Sequence, residues 1–219
     1  MMMIMTLVMT GCSQPKDIRN MTFSGTMELT EHVLGFPVAG RLTSLNVDEG
    51  SLVKKGDLLA TLDRYAQSKK DYERSQVLYQ NGGANQQSLE YAQLTLQDQE
   101  IVSPINGVVL VKDVETGEVV PQGGGVVVIG DPQDQWVKVY VPENLVHQLS
   151  LNQPAAILVD GAQSPYNGHV TFISDKAEFT PRNVQTPDER ATQTIAVKIT
   201  VDQPDANLHA GVFADVRFK

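Results

Sequence analysis

The chain has little of what most catalytic and redox sites are built from. Its 219 residues include one cysteine, Cys12, and four histidines. A single thiol excludes an internal disulfide, a CxxC metal site and dithiol redox chemistry. His32, His147, His169 and His209 are scattered, with no i, i+4 or CxxH-type spacing, so the sequence offers no metal site. Positive charge is also scarce. The formal net charge is −9, and Lys54-Lys55 and Lys69-Lys70 are the densest basic pairs. Phosphate contacts need clustered Lys and Arg, so no nucleic-acid partner is expected. No run of eighteen apolar residues occurs, which removes a transmembrane helix from the reading. Ser103, Ser150 and Ser164 lack a nucleophile-elbow context. Gly123-Gly124-Gly125 is not followed by Gly-Lys-Ser/Thr and reads as a β-turn. Asp48-Glu49 and Asp188-Glu189 are adjacent acids, which point apart in a strand or turn. These absences describe a protein that is not an enzyme and holds no cofactor.

What is present is an internal repeat. Apolar residues make up 41% and aromatics only 6%, with 17 Gly and 11 Pro, a composition of short strands joined by turns. Residues Gly40 to Gly56 recur at Gly107 to Gly123 with a constant offset of 67 and no gap. Gly40, Gly50 and Gly56 fall on Gly107, Gly117 and Gly123. Leu42, Val47, Val53 and Leu62 fall on Val109, Val114, Val120 and Ile129. The glycines mark tight turns and the apolar residues supply one inward face. Each half has too little apolar surface to fold alone. The two are expected to bury Leu42, Val47, Val109 and Val114 against each other in one small sandwich.

Residues 64–100, between the halves, read as helix. Asp63 is the expected N-cap. Tyr65, Tyr72 and Tyr79 are seven apart, as are Leu89 and Leu96, with Ala92 between them. Asn81-Gly82-Gly83 breaks the run and Ser103-Pro104 ends it. The expected form is an antiparallel hairpin of two helices of about 17 residues, with its tip at 81–84 and a reach of roughly 25 Å. Downstream, alternation in Trp136–Val141 and Thr194–Ile199 reads as strands of a small antiparallel barrel, joined by a strand near Thr22–Leu29. Short linkers near Gly130-Asp131-Pro132 suggest a hinge.

The first nine residues are a short apolar run leading to Thr10-Gly11-Cys12, which resembles the end of a lipoprotein signal peptide whose cysteine becomes lipidated. Ser13-Gln14-Pro15-Lys16-Asp17 then reads as a polar tether. Ser13 after the cysteine favours the outer membrane by the usual sorting rule, so the anchoring leaflet stays open.

The order of half-lipoyl motif, helical hairpin and half-lipoyl motif resembles the HlyD-type periplasmic adaptors (membrane fusion proteins) of RND, ABC and related exporters. Val38–Asp63 is similar to the first half-motif and Ile101–Val109 to the opening of the second. Asp134–Glu143 resembles the opening of that family's β-barrel, and Leu208–Val216 its closing strand pair. Glu178–Thr186 resembles a loop of the ABC-exporter-linked branch. The implied fold class is mainly β with a helical hairpin. It divides into a signal and tether (1–20), a strand joining the barrel (21–35), a barrel-sandwich hybrid (36–63 and 101–131), the hairpin (64–100) and the β-barrel (132–219). The implied function is to link an inner-membrane transporter, ABC or RND, to a TolC-type outer-membrane channel. The implied state is a homo-oligomer in the periplasm, held to a membrane by a lipid anchor at Cys12. The resemblance places the channel-docking tip at Arg74, Leu78 and Asn85, where Asn85 replaces the family's Ser.

Two other readings stand beside it. A biotinyl or lipoyl carrier needs a Lys at the turn joining the halves, where this sequence has the predicted hairpin, with Lys69 and Lys70 inside its first helix. A surface lipoprotein binding a ligand through its barrel is the second.

Overall fold

The repeat is visible first in the backbone. In the computed structural model, which describes residues 17–179, 193–205 and 208–219, Gly50 and Gly117 both adopt positive φ, 81° and 100°. Gly56 and Gly123 do the same at 95° and 71°, a conformation that a Cβ would strain. Gly40 and Gly107 are conserved between the halves for another reason. A Cβ on Gly40 would lie 2.9 Å from Leu62, and one on Gly107 would lie 2.5 Å from Ile129, the residue equivalent to Leu62.

The two halves interlock. Half one supplies β2 (Gly40–Leu45), β3 (Leu52–Val53) and β4 (Leu58–Leu62); half two supplies β6 (Gly107–Lys112), β7 (Val119–Val120) and the start of β8 (Gly125–Pro142). Within each half the long strands pair, Leu42 opposite Leu62 and Val109 opposite Ile129. Each two-residue strand pairs instead with the other half: β3 with β6, and β7 with β2. The turn bonds repeat the exchange. Gly50 N–H donates to the Val109 carbonyl and Gly117 N–H to the Leu42 carbonyl, both at 2.8 Å. Gly56 N–H donates to the Ser103 carbonyl and Gly123 N–H to the Phe36 carbonyl, both at 2.9 Å. Phe36 and Ser103 are themselves 67 residues apart. Neither half can satisfy its turns or edges alone.

The buried faces meet in a core of Phe36, Leu42, Val53, Leu59, Leu62, Ile101, Val109, Val120, Val126, Val127 and Ile129, with Ala60. Leu42 and Val109 are fully buried, while Val47 and Val114 are partly buried and pack on the cluster's margin. This is the expected sandwich, with two of its four named residues at the rim rather than the centre.

Between β4 and β5 (Glu100–Val102) stand α1 (Tyr65–Gln80) and α2 (Gln86–Gln97), which pack on each other. Asp63 is not the cap of α1. Arg64 occupies that position without a side-chain cap bond, because Asp63 is still held to the sandwich, its N–H donating to the Arg41 carbonyl.

A second compact unit contains the start of β1 (Phe23–Gly35), the end of β8, β9 (Pro154–Val159), β10 (Tyr166–Phe179), β11 (Gln193–Val201) and β12 (Phe213–Phe218). Its strand order is β1-β12-β9-β10-β11-β8, and β8 pairs back to β1, closing a six-stranded antiparallel barrel. Val137, Val139 and Val141 on β8 face Ile157, Val170, Val197, Ile199, Val216 and Phe218 in a buried interior, as period-two alternation requires. A short helix, α3 (Glu143–Val146), follows β8. The N-terminal strand joins the barrel through Phe23–Thr26 opposite Val216–Phe213. The expected linker at Gly130–Pro132 is instead part of continuous β8. Its Gly-Asp-Pro run carries a turn signal, but Gly130 pairs with Val108 and keeps the strand extended.

Candidate functional site: the helical hairpin

The hairpin is polar along most of its length, so its shape depends on a narrow seam. On α1 the less exposed positions are Tyr65, Ser68, Tyr72 and Ser75, with Asp71 at the margin beside Tyr72; on α2 they are Leu89, Ala92, Thr95 and Leu96, with Gln99 just beyond. The alternating 3–4 spacing on α1 is that of a two-helix seam. Tyr65, Tyr72, Leu89, Ala92 and Leu96 lie where heptad spacing puts them. Tyr79, the next tyrosine in that series, is mostly outside the seam. Ser68 and Ser75 escape a search for apolar periodicity because they are polar. Their small size lets the helices approach.

The root is fixed by strand pairing. Leu58, Ala60 and Thr61 on β4 pair with Val102, Ile101 and Glu100 on β5, and Leu62 N–H donates to the Gln99 carbonyl at 3.0 Å. Glu100 sits beside Tyr65 and Lys69 of α1. Partial burial raises its pKa above the usual carboxylate range, while the charge of Lys69 and a hydrogen bond from Tyr65 oppose that shift.

At the tip, Gly83 N–H returns to the Leu78 carbonyl at 2.8 Å and Gly82 adopts φ of 73°. The three candidate docking residues flank this turn on different terms. Arg74 is 68% exposed and makes an i−3 ion pair with Asp71 at 3.4 Å; such pairs contribute little to stability. Leu78 is 45% exposed. Asn85 is the N-cap of α2, its carboxamide oxygen accepting from Ser88 N–H and Ser88 Oγ, both at 2.8 Å. The carboxamide oxygen of Asn85 is therefore already engaged in holding the turn. An Asn at a helix start, three residues before Ser88, is itself a capping signal in the sequence. Cys12, and Thr180–Thr186 of the expected exporter-type loop, lie outside the described residues.

Among the described residues no three His, Cys, Asp or Glu side chains come together as a metal site. No described helix is long and apolar enough to cross a membrane. The barrel unit has an open recess lined by residues such as Asp17, Ile18, Arg19, Gln148, Leu151 and Lys219.

The nested arrangement, a helical hairpin inserted between two interlocked half-repeats, is one that sequence families share. Residues 34–129 match the family described as the RND membrane fusion protein barrel-sandwich hybrid domain. The chain carries a membrane-fusion-protein domain. The curated relative UPF0194 membrane protein YbhG of Salmonella gallinarum is 26% identical, over 94% of this chain and 90% of its own length. That alignment runs over 299 positions, more than the 219 residues here, so the relative carries long insertions. Two solved structures show the same fold. A chimeric MacA–MexA protein containing the Pseudomonas aeruginosa MexA α-hairpin superposes with a TM-score of 0.66 at 21% identity, covering 91% of this chain and 81% of that one. The membrane fusion protein Spr0693 of Streptococcus pneumoniae gives 0.63 at 17% identity, covering 91% and 99%. In each half of the membrane-fusion domain the glycine turns and exchanged short strands described above form its frame, and the hairpin is its insertion.

Proposed function

We propose that this chain is a periplasmic adaptor subunit, linking an inner-membrane transporter to an outer-membrane channel for efflux or secretion. The observation that carries the reading is the membrane-fusion domain at 34–129 with an exposed, largely polar hairpin inserted in it. Such a hairpin has no catalytic group to present and is suited to contact other proteins. The transporter is of the ABC or RND class. The channel is TolC-type, met by Arg74 and Leu78 at the tip, with Asn85 shaping the turn. The chain works as a homo-oligomer, and lipidation of Cys12 holds it to a membrane of the cell envelope. A swinging-arm carrier is disfavoured because α1 and α2 fill the place where such a carrier needs one exposed Lys.

The test is purification of the tagged full chain from native membranes in mild detergent. An adaptor brings a transporter with it, and a ligand-binding lipoprotein comes alone. Intact mass reports the rest: an added diacylglyceryl group on Cys12 supports the anchor, and biotin or lipoate on Lys69 or Lys70 would overturn the adaptor reading.

A further inference from the structure

The sequence holds three Asn-Gly pairs, at 81–82, 106–107 and 167–168. Such a pair can modify itself, because the glycine's backbone nitrogen can attack the asparagine carboxamide and no Cβ stands in the way. The attack requires the backbone to turn toward the side chain, so the fold decides which pairs react. All three asparagines are exposed, but the glycines differ: Gly82 is exposed, whereas Gly107 and Gly168 are buried.

Gly107 and Gly168 are locked in sheet. Gly107 pairs with Val53, and an added Cβ there would meet Ile129 at 2.5 Å and the Gly130 carbonyl oxygen at 2.6 Å. Gly168 lies between Ala155 of β9 and Val201 of β11, with the Thr200 carbonyl oxygen 2.5 Å from an added Cβ. Neither backbone can turn without parting strands. The side chains are held too: Asn106 Oδ1 accepts from Lys55 N–H at 3.0 Å, and Asn167 Oδ1 from Lys219 Nζ at 3.1 Å. Around Gly82 an added Cβ meets nothing within 4 Å. What holds Asn81 is the end of its own helix. Its N–H and Nδ2 both donate to the Val77 carbonyl, at 3.2 and 2.8 Å, and Gly82 N–H donates to the Tyr79 carbonyl at 3.1 Å. With ψ of 9°, Asn81 must leave its helical conformation before the attack. Residues 76–83 are all exposed, so that opening is the fraying of an unsupported last turn rather than the breaking of a core.

We infer that Asn81-Gly82 is a self-modification site at the hairpin tip, converting to aspartate and isoaspartate ahead of the other two pairs. The Gly82 nitrogen bonds to Asn81 Cγ, the Cγ–Nδ2 bond breaks, and ammonia leaves with the proton that Gly82 gives up. Water then opens the resulting succinimide at either carbonyl. One opening gives aspartate; the other reroutes the main chain through Cγ and gives isoaspartate. No oxidant, enzyme or partner takes part. Either product loses the Nδ2 bond to Val77 and places a negative charge at the C-terminal end of α1, where the helix dipole disfavours it. The site stands whether or not the tip docks on a channel.

The test ages the full chain in mildly alkaline buffer, one portion native and one in guanidinium, and maps it by mass after Glu-specific digestion. Cleavage at Glu73 and Glu90 isolates Asn81, cleavage at Glu100 and Glu115 isolates Asn106, and Asn167 lies between Glu143 and Glu178. In the native chain the Asn81 peptide gains close to one mass unit and becomes a substrate for isoaspartyl methylation. Asn106 and Asn167 lag by about tenfold or more, because each must first open its sheet. In guanidinium the three rates converge to within about threefold, since the fold no longer separates them. Asn106 or Asn167 converting as fast as Asn81 in the native chain would overturn the inference. So would a native Asn81 that stays intact while it converts in guanidinium, or an order that unfolding leaves unchanged. Asn81→Gln, whose longer side chain closes its ring far more slowly, stops the mass gain in the tip peptide; an unchanged gain would move the chemistry to Asn85 and sink the assignment. Asn81→Asp, one of the two products made directly, exchanges its Gly83 amide several-fold faster than the unmodified chain, and equal exchange would refute the loosening of the tip.

Discussion

Alanine at the repeat glycines separates two reasons for their presence. A methyl at Gly107 would lie 2.5 Å from Ile129 Cγ2 and 2.6 Å from the Gly130 carbonyl oxygen, so backbone must move. At Gly40 the methyl meets only the Leu62 side chain, nearest at 2.9 Å, and a leucine tip can turn. Overpacking a well-filled core costs about 1–3 kcal/mol, which puts Gly107→Ala near 3 and Gly40→Ala near 1. Gly50 and Gly117 have open space around the added methyl but positive φ. There alanine costs about 1–2 kcal/mol for the left-handed conformation, offset by about 0.4–1 kcal/mol from a less flexible unfolded chain. The net is about 0–1.6 kcal/mol, and the two positions should agree within about 0.5 kcal/mol. Urea unfolding followed by far-ultraviolet ellipticity of the hairpin reads the membrane-fusion domain. Fluorescence of Trp136, the one tryptophan, reads the barrel unit and should stay unchanged. If Gly40→Ala costs as much as Gly107→Ala, the backbone contact at Gly107 is not what decides the cost; if Gly50→Ala and Gly117→Ala differ by more than about 1 kcal/mol, the two turns are not the physical equivalents argued here.

Further outcomes follow from the hairpin and its root. Asn85→Ala loses the cap and about 1 kcal/mol of local stability, seen as faster amide exchange at the start of α2; Asn85→Asp keeps the cap, so loss of export in Asn85→Asp alone would assign the residue to docking as well. Arg74→Asp or Leu78→Asp should abolish export at a folding cost of about 1 kcal/mol or less, and full export with both replaced removes the tip from the docking reading. Glu100 has a raised folded-state pKa, so its favourable contribution is complete below the unfolded carboxylate value of 4.5 and is lost as pH rises through the raised folded value. Glu100→Gln should therefore unfold at higher urea than the wild type at pH 7, with the difference shrinking toward pH 4.5; a pH-independent difference would show that burial of the charge is not the cause.

How legible each element was depended on whether its cause was local. The glycine turns at 50, 56, 117 and 123 could be read because a backbone requirement recurs at a fixed offset whatever fills the positions between. The hairpin could be read from its tyrosine and leucine spacing, but Ser68 and Ser75 could not, since a seam position filled by a small polar residue leaves no hydrophobic trace. Asp63 has the right chemistry for a cap, and what removes it is a bond to Arg41, twenty-two residues away. Gly130-Asp131-Pro132 has turn chemistry and lies in a strand, its first residue paired with Val108 of β6. The exposed edge residues Leu52 and Val119 looked like any other apolar positions of the repeat; only the pairing of β3 and β7 shows which way they face.

The insertion point of the hairpin sets how far this family of arms can vary. The membrane-fusion domain anchors the arm at its root, where Leu62 N–H meets the Gln99 carbonyl beside the β4–β5 pairing and Glu100 meets Tyr65 and Lys69; its apolar core contains no residue of α1 or α2. Adding one heptad to each helix would carry the tip about 10 Å further while returning the chain to the same two anchor points. Loop closure grows only logarithmically with length, so the sandwich would scarcely register the change. Reach can therefore be selected like the length of a rod in a fixed socket. An arm of sixteen and twelve helical residues is one setting, open to lengthening or shortening without redesign of the domain that holds it.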